Sequence, residues 1–415
     1  MSLQDITSDE WADIQQECND LVEVYIEENI SSIPEVSFFD TLFHEVHSMI
    51  NENLQGWCSE EDSDELYEII KGFCIEHLKC IGVPLRENSP YRIYEYAENE
   101  IDQTLDWLDI FPVQQQRTPE WFATRRQLFS ASNLWKLFGT QAQFNSLIFE
   151  KCKESKVIDF EGDVLSPNAR NWGIKYEAAS VLVYEHKYGT IVNNNYGCIP
   201  HEIHPIGASP DGINVKKDHP KFGHLLEIKN IYNREMNGIP SKEYWIQMQI
   251  QMETCRLEYC DFLETRFKEY SKEEFEQDEK SEYKGVILFF IPKENTDVQS
   301  KFVYAPLFIE NPNEWIENKV LEMDSHILYM TTYWYLDEMF CTEIERNDLW
   351  FTSCIPKIKE GWETVLLERE NGFQHRAPQS RNKISTPDAM KYNVNINVNY
   401  VTLVKVDENG CELSV

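Results

Sequence analysis

The sequence predicts a mixed α/β protein, with a central mixed β-sheet flanked by helices and an acidic helical N-terminal domain before it. Three observations lead there. Apolar residues recur at three- and four-residue spacing through the first 110 positions, helical and extended patterns alternate from Thr118 onward, and most of the negative charge lies outside the middle of the chain. The expected divisions are an acidic helical domain at 1–110, the α/β core at 111–345 and a C-terminal extension at 346–415.

The N-terminal helices are read from Leu21, Val24, Tyr25 and Glu28, then from Phe39, Leu42, Phe43, Val46 and Ile50. Gly82-Val83-Pro84 and Ser89-Pro90 interrupt that pattern, and Phe111-Pro112 closes it. The core is expected to start at Thr118-Pro119-Glu120-Trp121, with Thr118 as N-cap, Pro119 at the first helical position and Glu120 in the first turn. A helix is expected over Trp172–Glu185, stopped near Gly189, and extended segments over Ile191–Pro200 and Ile203–Gly207. Pro210-Asp211-Gly212 marks a turn, and His224–Lys229 a strand. Lys242–Tyr259 reads as helix, and the charge-dense Glu264–Lys284 as solvated helix or an insertion. Strands at Gly285–Ile291 and Phe302–Phe308 and a helix over Asn313–Leu336 follow. After Trp350 the pattern weakens, with a polar loop over Asn371–Ala389 and a late strand pair within Val394–Val406.

The chain of 415 residues is 42% hydrophobic and 13% aromatic, enough to bury a core. Its longest apolar runs, such as Val286–Ile291, are strand-length, so no membrane span is expected. The acidic N-terminus, with Asp5, Asp9, Glu10 and Asp13, lacks the basic region of a signal peptide. Eleven cysteines without a CxxC pair or a regular framework point to a reducing intracellular compartment, which for a virus-encoded protein means host cytoplasm or viral factory. The net charge of -34 opposes nucleic-acid binding until it is divided along the chain. Residues 1–110 carry -23 and residues 251–415 carry -13, whereas residues 111–250, with 16 basic and 14 acidic groups, carry +2. The acidity belongs to the flanks.

The chemistry centres on Ser209-Pro210-Asp211-Gly212 and, 16 positions after Asp211, Glu227-Ile228-Lys229. Strand alternation puts Glu227 and Lys229 on one face and Ile228 on the other, and the turn brings Asp211 beside them. Two carboxylates and the Ile228 carbonyl make an all-oxygen site for a hard divalent ion, with Lys229 set to orient or deprotonate the attacking water. The apolar Leu225, Leu226 and Ile228 mark a buried strand, where unpaired charge is costly. His201 and His204 have zinc-like spacing but no third soft ligand, and are read as structural.

With these residues the chain resembles the PD-(D/E)xK nuclease superfamily and its restriction-endonuclease-like core, and within it the lambda exonuclease branch of YqaJ-type viral recombinases. The resemblance covers residues 117–262 in five ordered blocks. Arg125 to Ser132 resembles the block that binds a terminal 5′-phosphate, which falls to Arg125 and Ser132. Gly173-Ile174-Lys175-Tyr176-Glu177 resembles a helix giving an acidic residue, Glu177, to the metal site. Ala208 to Gly212 assigns Ser209 to phosphate and Asp211 to metal, and Glu227-Ile228-Lys229 is the fourth block. Tyr244-Trp245-Ile246-Gln247-Met248-Gln249 resembles a Tyr-x-x-Gln-x-Gln helix that brings Gln247 to the active site and Tyr244 to the DNA. Gln251, at i,i+4 from Gln247, receives no role from the resemblance and reads as part of a polar stripe.

The resemblance implies a Mg²⁺-dependent deoxyribonuclease, with Mn²⁺ able to substitute, acting on duplex DNA ends in viral-type recombination or repair. It also implies homo-oligomers, toroidal trimers in processive members, and a single-strand annealing partner. The acidic N-terminal region, residues 264–284 and the chain beyond Trp350 have no counterpart in a minimal member. They leave open an endonuclease, resolvase or Cas4-like enzyme on the same core, although no iron–sulfur cysteine pattern is present. A binding module without activity, recruiting proteins through its acidic domain, is the alternative from another class. The bland account of that domain is a solubilising appendage.

Overall fold

The computed structural model describes residues 3, 6–54, 63–95, 97–113, 118–153, 166, 168–293, 299–378, 396–397 and 400–401. Four helices come first: α1 (Ser8–Asn29), α2 (Phe38–Asn53), α3 (Ser63–Cys80) and α4 (Glu98–Leu108). The Thr7 hydroxyl accepts from Glu10 N while the Glu10 carboxylate accepts from Thr7 N, a reciprocal cap that fixes where α1 begins. The buried stripe of α1 is Ile14, Cys18, Val22 and Ile26, which shares no residue with the Leu21, Val24, Tyr25 and Glu28 read from the sequence, and Val24 is 53% exposed. Leu42, Val46 and Ile50 of α2 and Leu66, Ile70, Cys74 and Leu78 of α3 are buried in the same apolar cluster.

The core opens as its residues suggest. Thr118 accepts from Trp121 N at 3.2 Å and caps α5 (Pro119–Arg126). β1 (Phe129–Ser130), α6 (Ala131–Leu134) and α7 (Gln141–Cys152) follow, and then α8 (Ala169–Tyr188), which Gly189 ends in the left-handed conformation at φ +67°. Next come β2 (Val192–Asn193), β3 (Ile199–Pro200), β4 (Ile206–Ala208), β5 (Gly212–Asn214) and β6 (Leu225–Asn230). After α9 (Lys242–Cys255) run β7 (Tyr259–Tyr270), α10 (Lys272–Gln277), β8 (Lys284–Pro292), β9 (Lys301–Tyr304), α11 (Pro312–Glu322), β10 (His326–Glu345) and α12 (Asp348–Asn371).

The main sheet has seven strands in the order β2-β5-β6-β7-β10-β8-β9, and β6–β7 is its parallel pair. A small sheet, β1-β4-β3, stands beside it, with β1 and β4 parallel. Apolar side chains from α2, α3, α9 and α12 belong to one cluster, so the N-terminal helices and the core share a hydrophobic interior. Buried Arg86 joins them from Nε to Pro34 O at 3.1 Å and from Nη2 to Pro240 O, just ahead of α9. Met1–Ala377 forms one compact unit, and in the other β11 (Ile396–Asn397) pairs antiparallel with β12 (Tyr400–Val401), within the stretch expected to hold a strand pair.

Four expectations are corrected. The charge-dense stretch from Glu264 is the second half of β7, with only the six-residue α10 as helix. Its charges pair across strands, Arg266 with Glu338 at 2.9 Å and Lys268 with Asp337 at 2.8 Å. The helix expected over Asn313–Leu336 stops at Glu322, and β10 then runs for 20 residues, joining β8 to β7. α9 ends at Cys255, where Arg256 turns left-handed at φ 57°. The weak pattern after Trp350 is a 24-residue helix, α12, capped by Asn347 and carrying Trp350, Phe351, Cys354, Ile358 and Val365 into the core.

Candidate active site

β6 carries the site. Leu226 and Ile228 face α8, packing in the cluster that holds Val181 and Tyr184. Glu227 and Lys229 therefore face α9, whose glutamines reach down to them. Glu227 is 1% exposed, so its carboxylate must be satisfied internally. Lys229 Nζ donates to Oε1, Gln247 Nε2 donates to Oε1 at 2.7 Å and Gln251 Nε2 donates to Oε2 at 2.6 Å. Gln251, itself 1% exposed, is the contact that sequence reasoning missed. Its i,i+4 spacing from Gln247 was the available signal, since both must then face the same strand.

Asp211 stands between β4 and β5, and its Oδ2 accepts from Ile228 N at 2.8 Å, which ties the turn to β6. The glycine after it is forced by close approach, because a Cβ on Gly212 would lie 2.3 Å from Val192 Cγ1. Burial pushes the Asp211 carboxyl well above the usual range, and the Glu227 and Glu177 carboxylates push it further against the pull of Lys229. Burial alone would lower Lys229, but Glu227 and Asp211 more than offset it, so the side chain is held as an ammonium. That ammonium also stands 4.6 Å from the centre of the Tyr244 ring.

One cavity of about 530 Å³ is lined by Glu177, Asp211, Glu227, Ile228, Lys229, Gln247, Tyr244, Arg125, Ser132 and Ser209, all ten residues singled out from the sequence. On its wall Arg125 Nη2 donates to Ser132 Oγ at 3.4 Å, and the guanidinium stacks 4.5 Å from the Trp121 ring centre. The buried Ser209 hydroxyl has no hydrogen-bond partner among the described residues beyond a weak contact with the Cys198 thiol. The Asp211, Glu227 and Glu177 carboxylates and the Ile228 carbonyl are hard oxygen donors lining one cavity, a donor set that fits a divalent cation.

A second cluster of metal-ligating side chains, His224, Asp261 and Glu343, lies on the other face of the sheet. It already has its cations: Lys221 stands 2.8 Å from Asp261 and Arg92 3.0 Å from Glu343. His201 accepts from the backbone N–H groups of Ile203 and His204, both at 3.1 Å, a turn-forming role. The nine cysteines among the described residues are free, and no helix among them is long and apolar enough to cross a membrane.

Residues 120–258 match the family model of the YqaJ-like viral recombinase domain. The match spans about a third of the chain. The YqaJ-like segment runs from α5 through α9 and contains all ten cavity residues named above, while α1–α4 and β7–α12 lie outside it. The chain is also similar to Uncharacterized protein R354 of Acanthamoeba polyphaga mimivirus, 25% identical over 328 residues. That alignment covers 69% of this chain and 59% of the relative, so the chain spans about three fifths of the mimivirus protein's length. Two crystal structures of LHK-Exo, an alkaline exonuclease from Laribacter hongkongensis, one of them in complex with dAMP, are 21% identical to it. They cover 63% of this chain and 100% of theirs at TM-scores of 0.34 and 0.35, too low to bear on the fold.

Proposed function

We propose that the chain is a divalent-cation-dependent deoxyribonuclease, acting as a 5′-phosphate-directed exonuclease that resects duplex ends in viral-type recombination or repair. One observation carries this reading. A single cavity is lined both by a carboxylate–lysine group and by an arginine with two serine hydroxyls suited to a phosphate. The match to a YqaJ-like viral recombinase domain supports it.

Asp211, Glu227 and the Ile228 carbonyl would hold Mg²⁺, or Mn²⁺ in its place, and Glu177 would support it. Bound there, the cation would make a water nucleophilic near neutral pH and neutralise charge developing on the phosphoryl oxygens. Lys229, as an ammonium with its Nζ on Glu227, orients the attacking water and donates to a non-bridging oxygen rather than taking a proton. Gln247 bridges Glu227 and Lys229 and fixes their relative position. Arg125, Ser132 and Ser209 grip the terminal phosphate and set the register of successive cleavage. Tyr244, against Lys229 and 5.9 Å from Arg234, lines the path of the strand. For the regions outside the YqaJ-like segment, we assign residues 1–110 to a protein partner, a single-strand annealing protein being the first to test, and 346–415 to an extension of the core. Assembly into homo-oligomers belongs to the same proposal.

The test compares linear duplexes bearing 5′-phosphate or 5′-hydroxyl ends with a closed circle, in Mg²⁺, for wild type and Lys229→Ala. Fast, phosphate-dependent loss of linear DNA that the variant lacks is the expected result. Cutting of the circle by wild type moves the enzyme to the endonuclease class on the same site. Binding without cleavage, in Mn²⁺ as well, refutes the enzyme reading in favour of a binding module.

A further inference from the structure

Arg125 sits in the last turn of α5, an eight-residue helix whose final carbonyls have no intrahelical partners. A helix C-terminus carries partial negative charge, which is unfavourable beside a pocket meant for an anion. Here cations meet those carbonyls. Lys151, on α7 and 4% exposed, donates from Nζ to Arg125 O at 2.9 Å. Arg369, on α12, donates from Nη2 to Arg126 O and, at 3.0 Å, to Lys151 O. Arg126 in turn donates to Cys152 O at 3.3 Å, so the C-termini of α5 and α7 are locked together by three cationic side chains.

The neighbouring carboxylates do not account for this arrangement. Glu150 is turned to Lys136 at 3.3 Å and to Asn133 at 2.7 Å, and Glu368 to Arg376 at 2.7 Å. Arg369 is held over the Trp362 ring at 5.4 Å, and Trp362 packs edge-on against Phe129 of β1 at 5.2 Å. Burial draws the Lys151 ammonium down to about 8, against the pull of Glu150. Arg369 lies beyond the family-matched residues 120–258.

We infer that Arg369, acting with buried Lys151, is a positioning residue for Arg125, so that α12 sets how tightly the pocket holds a 5′-phosphate. The inference rests on the proposed role of Arg125, Ser132 and Ser209. Its mechanism is local: the two cations fix the backbone that carries the Arg125 side chain and cancel the helix-end charge that would repel the phosphate. The carboxylate–lysine group does not depend on them.

The experiment is steady-state digestion of 5′-phosphate and 5′-hydroxyl linear duplexes in Mg²⁺ by full-length wild type, Arg369→Gln, Lys151→Met and Arg369→Lys, with melting temperatures alongside. Loss of a charge-assisted contact should raise KM for phosphorylated ends about fivefold to thirtyfold in Arg369→Gln. Its kcat, and its KM for hydroxyl ends, should stay near wild type. Arg369→Lys should recover part of the difference, and Lys151→Met should behave as Arg369→Gln does. A folded Arg369→Gln that discriminates between the two ends as wild type does overturns the inference and leaves the pocket reading standing. A wild type indifferent to the 5′-phosphate overturns both. Should Arg369→Gln melt below the assay temperature, full wild-type discrimination in both Arg369→Lys and Lys151→Met overturns it.

Discussion

Replacing Gln251 by leucine separates what stabilises the fold from what prepares the site. Gln251 donates to Glu227 Oε2 at 2.6 Å in a position 1% exposed, while its own Oε1 finds no partner among the described residues. Losing a hydrogen bond to a buried carboxylate costs about 1.5–3 kcal/mol, and removing an orphaned buried carbonyl returns about 1–3 kcal/mol. The two nearly cancel, so the cation-free protein should melt within a few degrees of wild type. Cation affinity should not be spared. With only Lys229 and Gln247 left, both on Oε1, the Glu227 carboxylate loses the contact that fixes its rotation. Loss of such an outer support lowers metal affinity by about 10–100-fold. At a fixed, near-saturating cation concentration this removes about 1.4–2.8 kcal/mol of ligand-induced stabilisation. Calorimetric titration with Ca²⁺ or Mn²⁺, together with melting curves with and without the cation, reads both quantities. A Gln251→Leu protein that binds the cation within about twofold of wild type would refute the reasoning, because that is below 0.5 kcal/mol.

Asp211→Asn should raise the melting temperature of the cation-free protein and abolish its rise on adding Mn²⁺. Burial, Glu227 and Glu177 raise the folded-state pKa of Asp211, so its contribution to stability is present at low pH and is lost as pH rises through that raised value. The gain from Asp211→Asn should therefore grow with pH across that window, and a flat difference between the two melting profiles would count against it. The same raised pKa makes protons compete with the cation, so Mn²⁺ affinity should weaken as pH falls in wild type, as titration at several pH values would show. Gly285→Ala, far along the sheet, should cost about 1–3 kcal/mol by urea unfolding, because overpacking is not relieved by a rigid ring. Its Cβ would lie 2.6 Å from Trp334 Cζ2, and Trp334 is 1% exposed. Its cation response should match wild type, and an altered response would show that the sheet and the site are not independent.

The site was more legible than the sheet around it, and the reason is physical. Glu227 and Lys229 are two apart on a strand and Thr118-Pro119 caps its own helix, so short-range geometry alone places these groups, and the spacing of four from Gln247 was enough to add Gln251, which read instead as a polar stripe. β7 and β10 obey no such local rule. Glu264 is wholly buried on β7 and looks like a solvated residue in sequence, because the partners that allow its burial, Arg234 and the backbone N–H of Gly238, lie on a loop before α9. Arg266 and Lys268 depend likewise on Glu338 and Asp337 of β10. In β10, His326 to Tyr335 pairs with β8 while Tyr333 to Glu345 pairs with β7, so one strand must suit two neighbours and cannot show a single clean alternation. α12 was obscured by Pro356 within it, yet it places Val365 in the core and Arg369 against the carbonyl of Arg126. The carboxylate–lysine group is thus set by β6 and α9 inside the YqaJ-like segment, while the backbone that carries Arg125 is held in part from outside it. If the phosphate-binding group alone is tuned from α12, substitutions there should change which DNA ends are accepted before they change whether a phosphodiester bond can be cut.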